Sequence, residues 1–507
     1  MQTSTRVIFN TIVLYVKVIL SLAISLISVP LILNALGASD YGLYNLVAGV
    51  VAMLSFLNNS MTVSSQRFMS VAMGEKNDHK INLIYNTSFL LHLCLGLFVV
   101  AFFEVIGILA IDKLNILPDR MFCAKIIFQL LVLSTFTKIL SVPFDALTNA
   151  KEDMLPFSIV ELIDSLLLLF VAFSISYISG DRLIFYGVSV AIISSLTLLV
   201  KYLWCCYAYK EYKINLNAFK GKFQISEMLG FSGWNLFGGL AMIGRNQGVA
   251  VIINIFLGTI ANAAYGIAHQ INGALGHFSS TFQKAINPQL MKSEGMHDRN
   301  RLIRISFISC KFSVLALAIF AIPFIIEMDF VLSLWLKDNI PPFTIQLAQC
   351  ILLLSLVYQY STGIMSAIQA KGKIRNYQIT MGLFLLINVP VAYIILKLGY
   401  PIYYITMAFV IIEIISLFIR LFFAKHLIGL KVFDYLYNVI YPTLTIIIIP
   451  TILALIPHIL LERTILRLFL VLAIYCLFFL IFMFRFAIEN EQQTIILSKV
   501  KKIIKRK

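Results

Sequence analysis

The stretch GGLAMIGRNQGVAVIINIFLG, residues 238 to 258, decides how the rest of the chain is read. Wound as a helix at about 1.5 Å per residue it reaches roughly 30 Å, the thickness of a bilayer's hydrocarbon core. A permanent charge, Arg245, and two amides, Asn246 and Gln247, stand at its middle. The surroundings have the same character: 60% of the 507 residues are hydrophobic, 13% are charged, and the mean hydropathy is +0.91. That composition is of a membrane protein.

Runs long enough to span recur near 8–34, 43–65, 84–111, 122–144, 155–179, 184–208, 229–257, 264–286, 306–333, 344–368, 378–396, 402–424, 438–461 and 465–486. Uninterrupted apolar runs of this length fit helices, whereas a membrane barrel shows ten-residue alternation. The expected fold is therefore an all-α polytopic bundle of about 14 transmembrane helices. The first run is too long for the apolar core of a signal peptide and is followed by equally apolar spans.

Charge fixes the expected orientation. With both termini cytoplasmic, 27 of the 40 Lys and Arg fall in inside connections, among them Arg67, Lys292, Arg420 and seven in the tail from Arg485 to Lys507; seven fall outside. The net charge of +16 then reflects topology and attraction to anionic membrane lipids, with no nucleic acid as partner. Seven cysteines lie inside spans without metal-ligand spacing, and neither a phosphate-binding loop nor an HExxH or GxSxG motif is present. The chain is read as no enzyme, with no cofactor and no metal.

The organisation expected is an N-terminal lobe at 1–209 (spans 1–6), a basic cytoplasmic linker at 210–228, a C-terminal lobe at 229–430 (spans 7–12), two further spans at 431–487 and a basic tail at 488–507. An internal repeat supports two lobes. LGASDYGLYNLVAG (36–49) after the first span answers LGTIANAAYGIAHQING (257–273) after the seventh, and SSQRF (64–68) answers SSTFQK (279–284). Two six-span repeats of the same sense are related by an axis along the membrane normal.

An ionisable group inside a span is unfavourable by roughly 3 kcal/mol on insertion scales, so each one needs a reason. Lys17 shares a stripe with Asn10, Ser21, Ser25 and Ser28; the fifth span offers Glu161 and Asp164; the eighth carries His269, Asn272 and Gln283 on one face; the tenth adds Gln359. Single Ser, Thr or Asn residues also serve interhelical packing. Lys138 has Asp145 on its own helix as a neighbour, and Lys125, Lys201 and Lys311 lie near span ends, where they can snorkel. Lys17 and Arg245 have no acidic neighbour on their own helices. Either Glu161, Asp164 and Glu413 pair with them across helices, or the cations face a water-filled path and await an anion while an acid or His269 takes up a coupling proton.

LILNALGASDYGLYNLVAGVVAMLSFLNNSMTVSSQRF, FSGWNLFGGLAMIGRNQGVAVIINIFLG and AAYGIAHQINGALGHFSSTFQKAINPQL together resemble bacterial polysaccharide flippases, the O-antigen or oligosaccharide-lipid exporters of the multidrug/oligosaccharidyl-lipid/polysaccharide superfamily. The resemblance covers spans one, two, seven and eight best. It implies a V-shaped, MATE-like bundle of two six-helix lobes plus two C-terminal helices. It also implies a protein of the bacterial inner membrane that flips undecaprenyl-pyrophosphate-linked oligosaccharide repeat units for O-antigen or capsular polysaccharide assembly, alongside polysaccharide polymerase and assembly proteins. The family's cationic cavity would fall here to Arg245, Lys17 and Arg67; the family couples transport to an ion gradient, and although no fixed coupling-ion motif is matched, Glu161, Asp164 and Glu413 are this chain's own candidate coupling acids. Phosphate oxygens suit a guanidinium's planar donors, and sugar hydroxyls suit Asn246, Gln247, His269, Asn272, Gln283 and Gln359 as cavity lining. A multidrug or ion antiporter of the same superfamily should prefer acids in its cavity. A peptidoglycan-precursor flippase differs only in the local motifs, and a membrane-embedded glycosyltransferase or polymerase would need larger outward loops.

Overall fold

The computed structural model describes residues 3–52, 55–110, 116, 118–215, 222–337 and 340–487. The basic tail, and residues 216–221 of the linker with Lys220, lie outside the described residues. The described chain is helical throughout: α1 (Thr3–Ala52), α2 (Ser55–Gly74), α3 (Asp78–Ala110), α4 (Met121–Lys151), α5 (Leu155–Ser174) and α6 (Arg182–Ala208) come first. There follow α7 (Lys222–Gly295), α8 (Arg299–Ile326), α9 (Met328–Leu336), α10 (Thr344–Gln359), α11 (Thr362–Lys371), α12 (Arg375–Leu386), α13 (Asn388–Lys397) and α14 (Tyr403–Ile428). The last elements are α15 (Val432–Tyr435), a π turn at Leu436–Ile440, α16 (Tyr441–Leu460) and α17 (Ile465–Phe486).

Among the described residues eleven helical stretches are long and apolar enough to cross a membrane, or twelve if α10 and α11, bent by 42°, form one span. The fourteen expected from hydropathy differ from this count at two places. Expected spans seven and eight run through one helical stretch, Gln224–Gly295, whose 72 residues are far longer than any bilayer is thick. The helix is broken inside it at Gly258 (φ 77°, ψ −169°). Expected span two, 43–65, falls on the end of α1 and the start of α2 and includes two residues outside the description.

The same break occurs in α1 at Gly37 (φ 77°, ψ 165°). Positive φ with extended ψ is essentially closed to residues bearing a Cβ, so both Leu-Gly pairs seen in the sequence mark true helix breaks. Since nothing surrounds either glycine within 4 Å, Gly37→Ala or Gly258→Ala will meet backbone strain alone. Each substitution should lower unfolding free energy by about 1–3 kcal/mol, measured by equilibrium unfolding in detergent micelles; an unchanged midpoint would contradict the break geometry.

Gly37 and Gly258 are 221 residues apart, and so are Gly74 and Gly295, Lys76 and His297 (both with positive φ), and the helix starts Asp78 and Arg299. The repeat is thus a repeat of backbone events in one register. The Tyr-Gly match (41 and 265) and the SSQRF/SSTFQK match (64 and 279) lie three residues beyond and six short of that register. Side chains have drifted along the helices while the breaks and turns stayed fixed. A further landmark follows: α4 ends in Ala150-Lys151 with Glu152 left-handed (φ 59°), and α11 ends in Ala370-Lys371 with Gly372 left-handed (φ 85°).

The chain forms two compact units, residues 1–239 with 287–298, and residues 240–286 with 299–507. In the first, α4 packs on α2, α3 and α6 around Ile127, Phe144 and Leu147, and α1 packs on α5. The break at Gly37 is fastened there by charge. Arg182 donates to Ala35 O at 3.1 Å, a carbonyl the broken helix leaves free, and Arg120 pairs with Asp40 and, at 2.5 Å, with Asp181. In the second unit α8, α10, α14, α16 and α17 share one core that contains Ala318, Leu352, Phe409, Ile446 and Tyr475. The two C-terminal helices are therefore built into that unit's core. Close packing of side chains, more than water expulsion, holds such helices together in lipid.

Candidate functional site

Arg245 sits near the middle of the first half of α7, half-buried. Its Nε donates to Asn246 Oδ1 at 3.1 Å, and among the described residues no carboxylate reaches ion-pair distance of it. Its charge instead acts on Tyr265 and His269 of α7 and on Tyr358 of α10. Tyr265 and His269 stand edge to face with centroids 4.4 Å apart, one turn from each other, and His269 Nε2 is buried without a hydrogen-bond partner. The result is a cation whose charge reaches two tyrosines and an imidazole with an unpartnered ring nitrogen, a combination suited to an anionic, sugar-bearing ligand.

The rest of the expected polar lining divides. Asn272 accepts a hydrogen bond from Ser355 at 2.5 Å, and Gln283 approaches Ser313 and Gln359 at 3.4 Å each, so α7, α8 and α10 share a polar seam. Gln247 is exposed. Tyr358, which sequence reasoning missed, joins Arg245 to a second basic group: the Arg420 guanidinium lies 5.4 Å from its ring centre. Its period from Gln359 and Ser355 gives no signal, because Tyr is common in any apolar span.

Glu413, expected as an ion-coupling acid or a partner of Lys17 or Arg245, has a different partner. It pairs with Arg420 at 2.5 Å, and Arg420 also donates to Ser361 at 2.7 Å. Arg420, counted above among the inside connections, is 2% exposed within α14. The two are seven residues apart and so lie two turns along one face, the spacing that brings them together.

In the first unit Lys17 forms an ion pair with Glu161, one of the outcomes the sequence left open. Lys201 completes the network, donating to Asp145 at 2.7 Å and lying 3.6 Å from Glu161. The expectation that Lys201 snorkels is corrected: it is 4% exposed on α6, facing α4 and α5. Asp145 is consequently taken by Lys201, while Lys138 is exposed. Two lysines against two carboxylates leave Lys17 without surplus charge. Asp164 stands beside this network, accepting from Thr197 Oγ1 at 2.5 Å, with no cation at ion-pair distance among the described residues. Arg67 lies over the rings of Phe68 and Phe231, 4.5 and 5.0 Å from their centres, with Glu227, Glu294 and Glu75 near enough to act on its charge. Among the described residues no group of His, Cys, Asp and Glu is placed to hold a metal.

No protein-family model and no curated protein sequence matches the chain. Solved structures do. A MOP superfamily transporter from Pyrococcus furiosus aligns with a TM-score of 0.73 at 13% identity, over 84% of this chain and 95% of its own. An outward-facing multidrug resistance MATE family transporter aligns with a TM-score of 0.72 at 14% identity, over 84% and 95%. This chain has the MATE fold. The bent form of a Vibrio cholerae MATE transporter agrees, with a TM-score of 0.69 at 11% identity over 84% and 97%. Such identities speak for the MATE fold and leave the cargo to the residues. For the Pyrococcus transporter, a reversed polarity of the binding pocket suggests a different function.

Proposed function

We propose that this chain is a transporter of the MOP superfamily that flips diphosphate-linked oligosaccharide lipids across the bacterial inner membrane by alternating access. The reading places both termini in the cytoplasm, the undecaprenyl tail in the bilayer throughout, and polysaccharide polymerase and assembly proteins as downstream partners. One observation carries it: among the described residues Arg245 has no carboxylate at ion-pair distance, and its charge acts on tyrosine and imidazole groups. A diphosphate supplies the negative charge the site lacks, and Tyr265, Tyr358 and the amide seam supply stacking faces and hydrogen bonds for sugars. Lys17, neutralised by Glu161, contributes less than its charge suggested, and Arg67 serves at the entrance.

A second reading, a multidrug antiporter, draws on Asp164, an acid bonded to a hydroxyl with no cation at ion-pair distance among the described residues. Under the flippase reading Asp164 is the group that couples transport to an ion gradient. Reconstituted proteoliposomes decide between the two. The protein should translocate a fluorescent lipid-diphosphate oligosaccharide and leave a cationic dye in place; dye extrusion without lipid movement would reverse the assignment.

A further inference from the structure

The two repeats meet within the first unit, where the end of α2 and the end of α7 cross at glycines. A methyl group added at Gly74 would overlap the carbonyl oxygen of Lys292, and one added at Gly295 would overlap the carbonyl oxygen of Val71. Val71 and Lys292 are themselves related by the 221-residue register. The contact is therefore self-complementary: each repeat offers the same glycine to the same carbonyl of the other, as in a two-fold interface. The turns beyond match bond for bond. Glu75, Lys76 and Asn77 donate to the carbonyls of Val71, Met73 and Ala72, and Met296, His297 and Asp298 donate to those of Lys292, Glu294 and Ser293.

A second set of groups holds this crossing. Glu152, 4% exposed, accepts from Gln289 and Lys292 of α7, and its own carbonyl accepts from Asn10 of α1 at 2.9 Å. Its backbone is left-handed, a conformation unfavourable for a residue with a Cβ; the sister repeat has Gly372 at the corresponding helix end. Strain that the sister repeat avoids persists where the side chain has a task.

We propose that the Gly74–Gly295 crossing is a gate that closes one end of the transport path by backbone contact between the repeats, latched by Glu152 on Lys292 and Gln289. The inference rests on the transporter reading but not on the cargo. At the glycines themselves the contact is backbone on backbone, and such a contact can part and re-form with less side-chain repacking than an interlocked one. A charged latch at the end of the spans can rehydrate when it opens.

Spin labels at Lys76→Cys and His297→Cys, both exposed and just beyond the crossing, report the gap by pulsed electron resonance once Cys94, Cys206 and Cys476 are replaced by Ser. The ligand-free protein in nanodiscs should show a short-distance component. Gly74→Leu and Gly295→Leu should each remove it and slow transport at least tenfold. Should a Leu variant fail to insert, Gly74→Ala and Gly295→Ala carry the same test, because a single methyl already meets the carbonyl. Glu152→Gly should shrink the short component although it relieves the backbone strain, so that thermal stability holds or rises; a purely structural glutamate would not separate the two readouts. An unchanged distance distribution, or wild-type transport, in the glycine variants overturns the gate. A wild-type protein that closes in this assay but moves no lipid-diphosphate would fail the proposed cargo and leave the gate standing.

Discussion

Arg245→Ala will abolish movement of a lipid-diphosphate oligosaccharide while leaving the protein inserted and at least as stable as before. The two halves of that result come from the same observation. Arg245 makes one hydrogen bond, to Asn246, and no ion pair among the described residues, so its removal strands no buried carboxylate. Taking an unpaired charge out of a span relieves a penalty of roughly 3 kcal/mol on insertion scales. The ligand, by contrast, loses a charge-assisted contact of about 1.5–3 kcal/mol, which is roughly a 10- to 150-fold loss of affinity. Translocation falls further, because an anion entering an uncharged site near mid-membrane has no counter-charge to replace its water. Arg245→Lys should restore part of the rate, keeping the charge without the planar fork. Binding of the lipid to detergent-solubilised protein, set beside chemical unfolding, gives both readouts; normal transport by Arg245→Ala would remove the residue from the mechanism.

Which features were legible in the sequence follows from what hydropathy measures. It reports how apolar a segment is, and so it recovered an all-helical membrane chain, with fourteen spans expected against eleven or twelve among the described residues; the MATE-like architecture came from the resemblance. Leu36-Gly37 and Leu257-Gly258 were legible as repeated breaks, because only glycine takes that backbone conformation. Hydropathy does not report which helix a side chain faces. Lys201 was assigned to a span end on its position along α6, although its neighbours on α4 and α5 carry Asp145 and Glu161. Glu413 was offered to Lys17 or Arg245, or as a coupling acid, because Arg420, two turns away, was assigned to topology. The gate was hidden for another reason. Its glycines carry no signal singly, and the self-complementarity appears only once the register of the repeats is set by backbone turns.

Glu327→Ala should be the most damaging single substitution for stability, through the last two helices. Glu327 lies at the junction of α8 and α9 with no exposed surface, and accepts from Arg467 of α17 at 2.7 Å. Its other oxygen faces His458 Nδ1 of α16 at 2.8 Å. One carboxylate thus joins both C-terminal helices to the core of their unit. Removing it leaves the Arg467 guanidinium, 9% exposed and with Nε already unpartnered, as an uncompensated charge. Breaking a buried pair from one side is worth about 3–5 kcal/mol, and here the histidine contact is lost as well. Replacing both partners with apolar groups of similar volume is often neutral or better. Glu327→Leu combined with Arg467→Met should therefore recover most of the loss, while either change alone does not. Equilibrium unfolding in mixed micelles measures the free energies, and proteolysis of the α16–α17 connection reports where the structure loosens. If the single and double variants lose the same stability, the carboxylate acts by filling space rather than by holding charge.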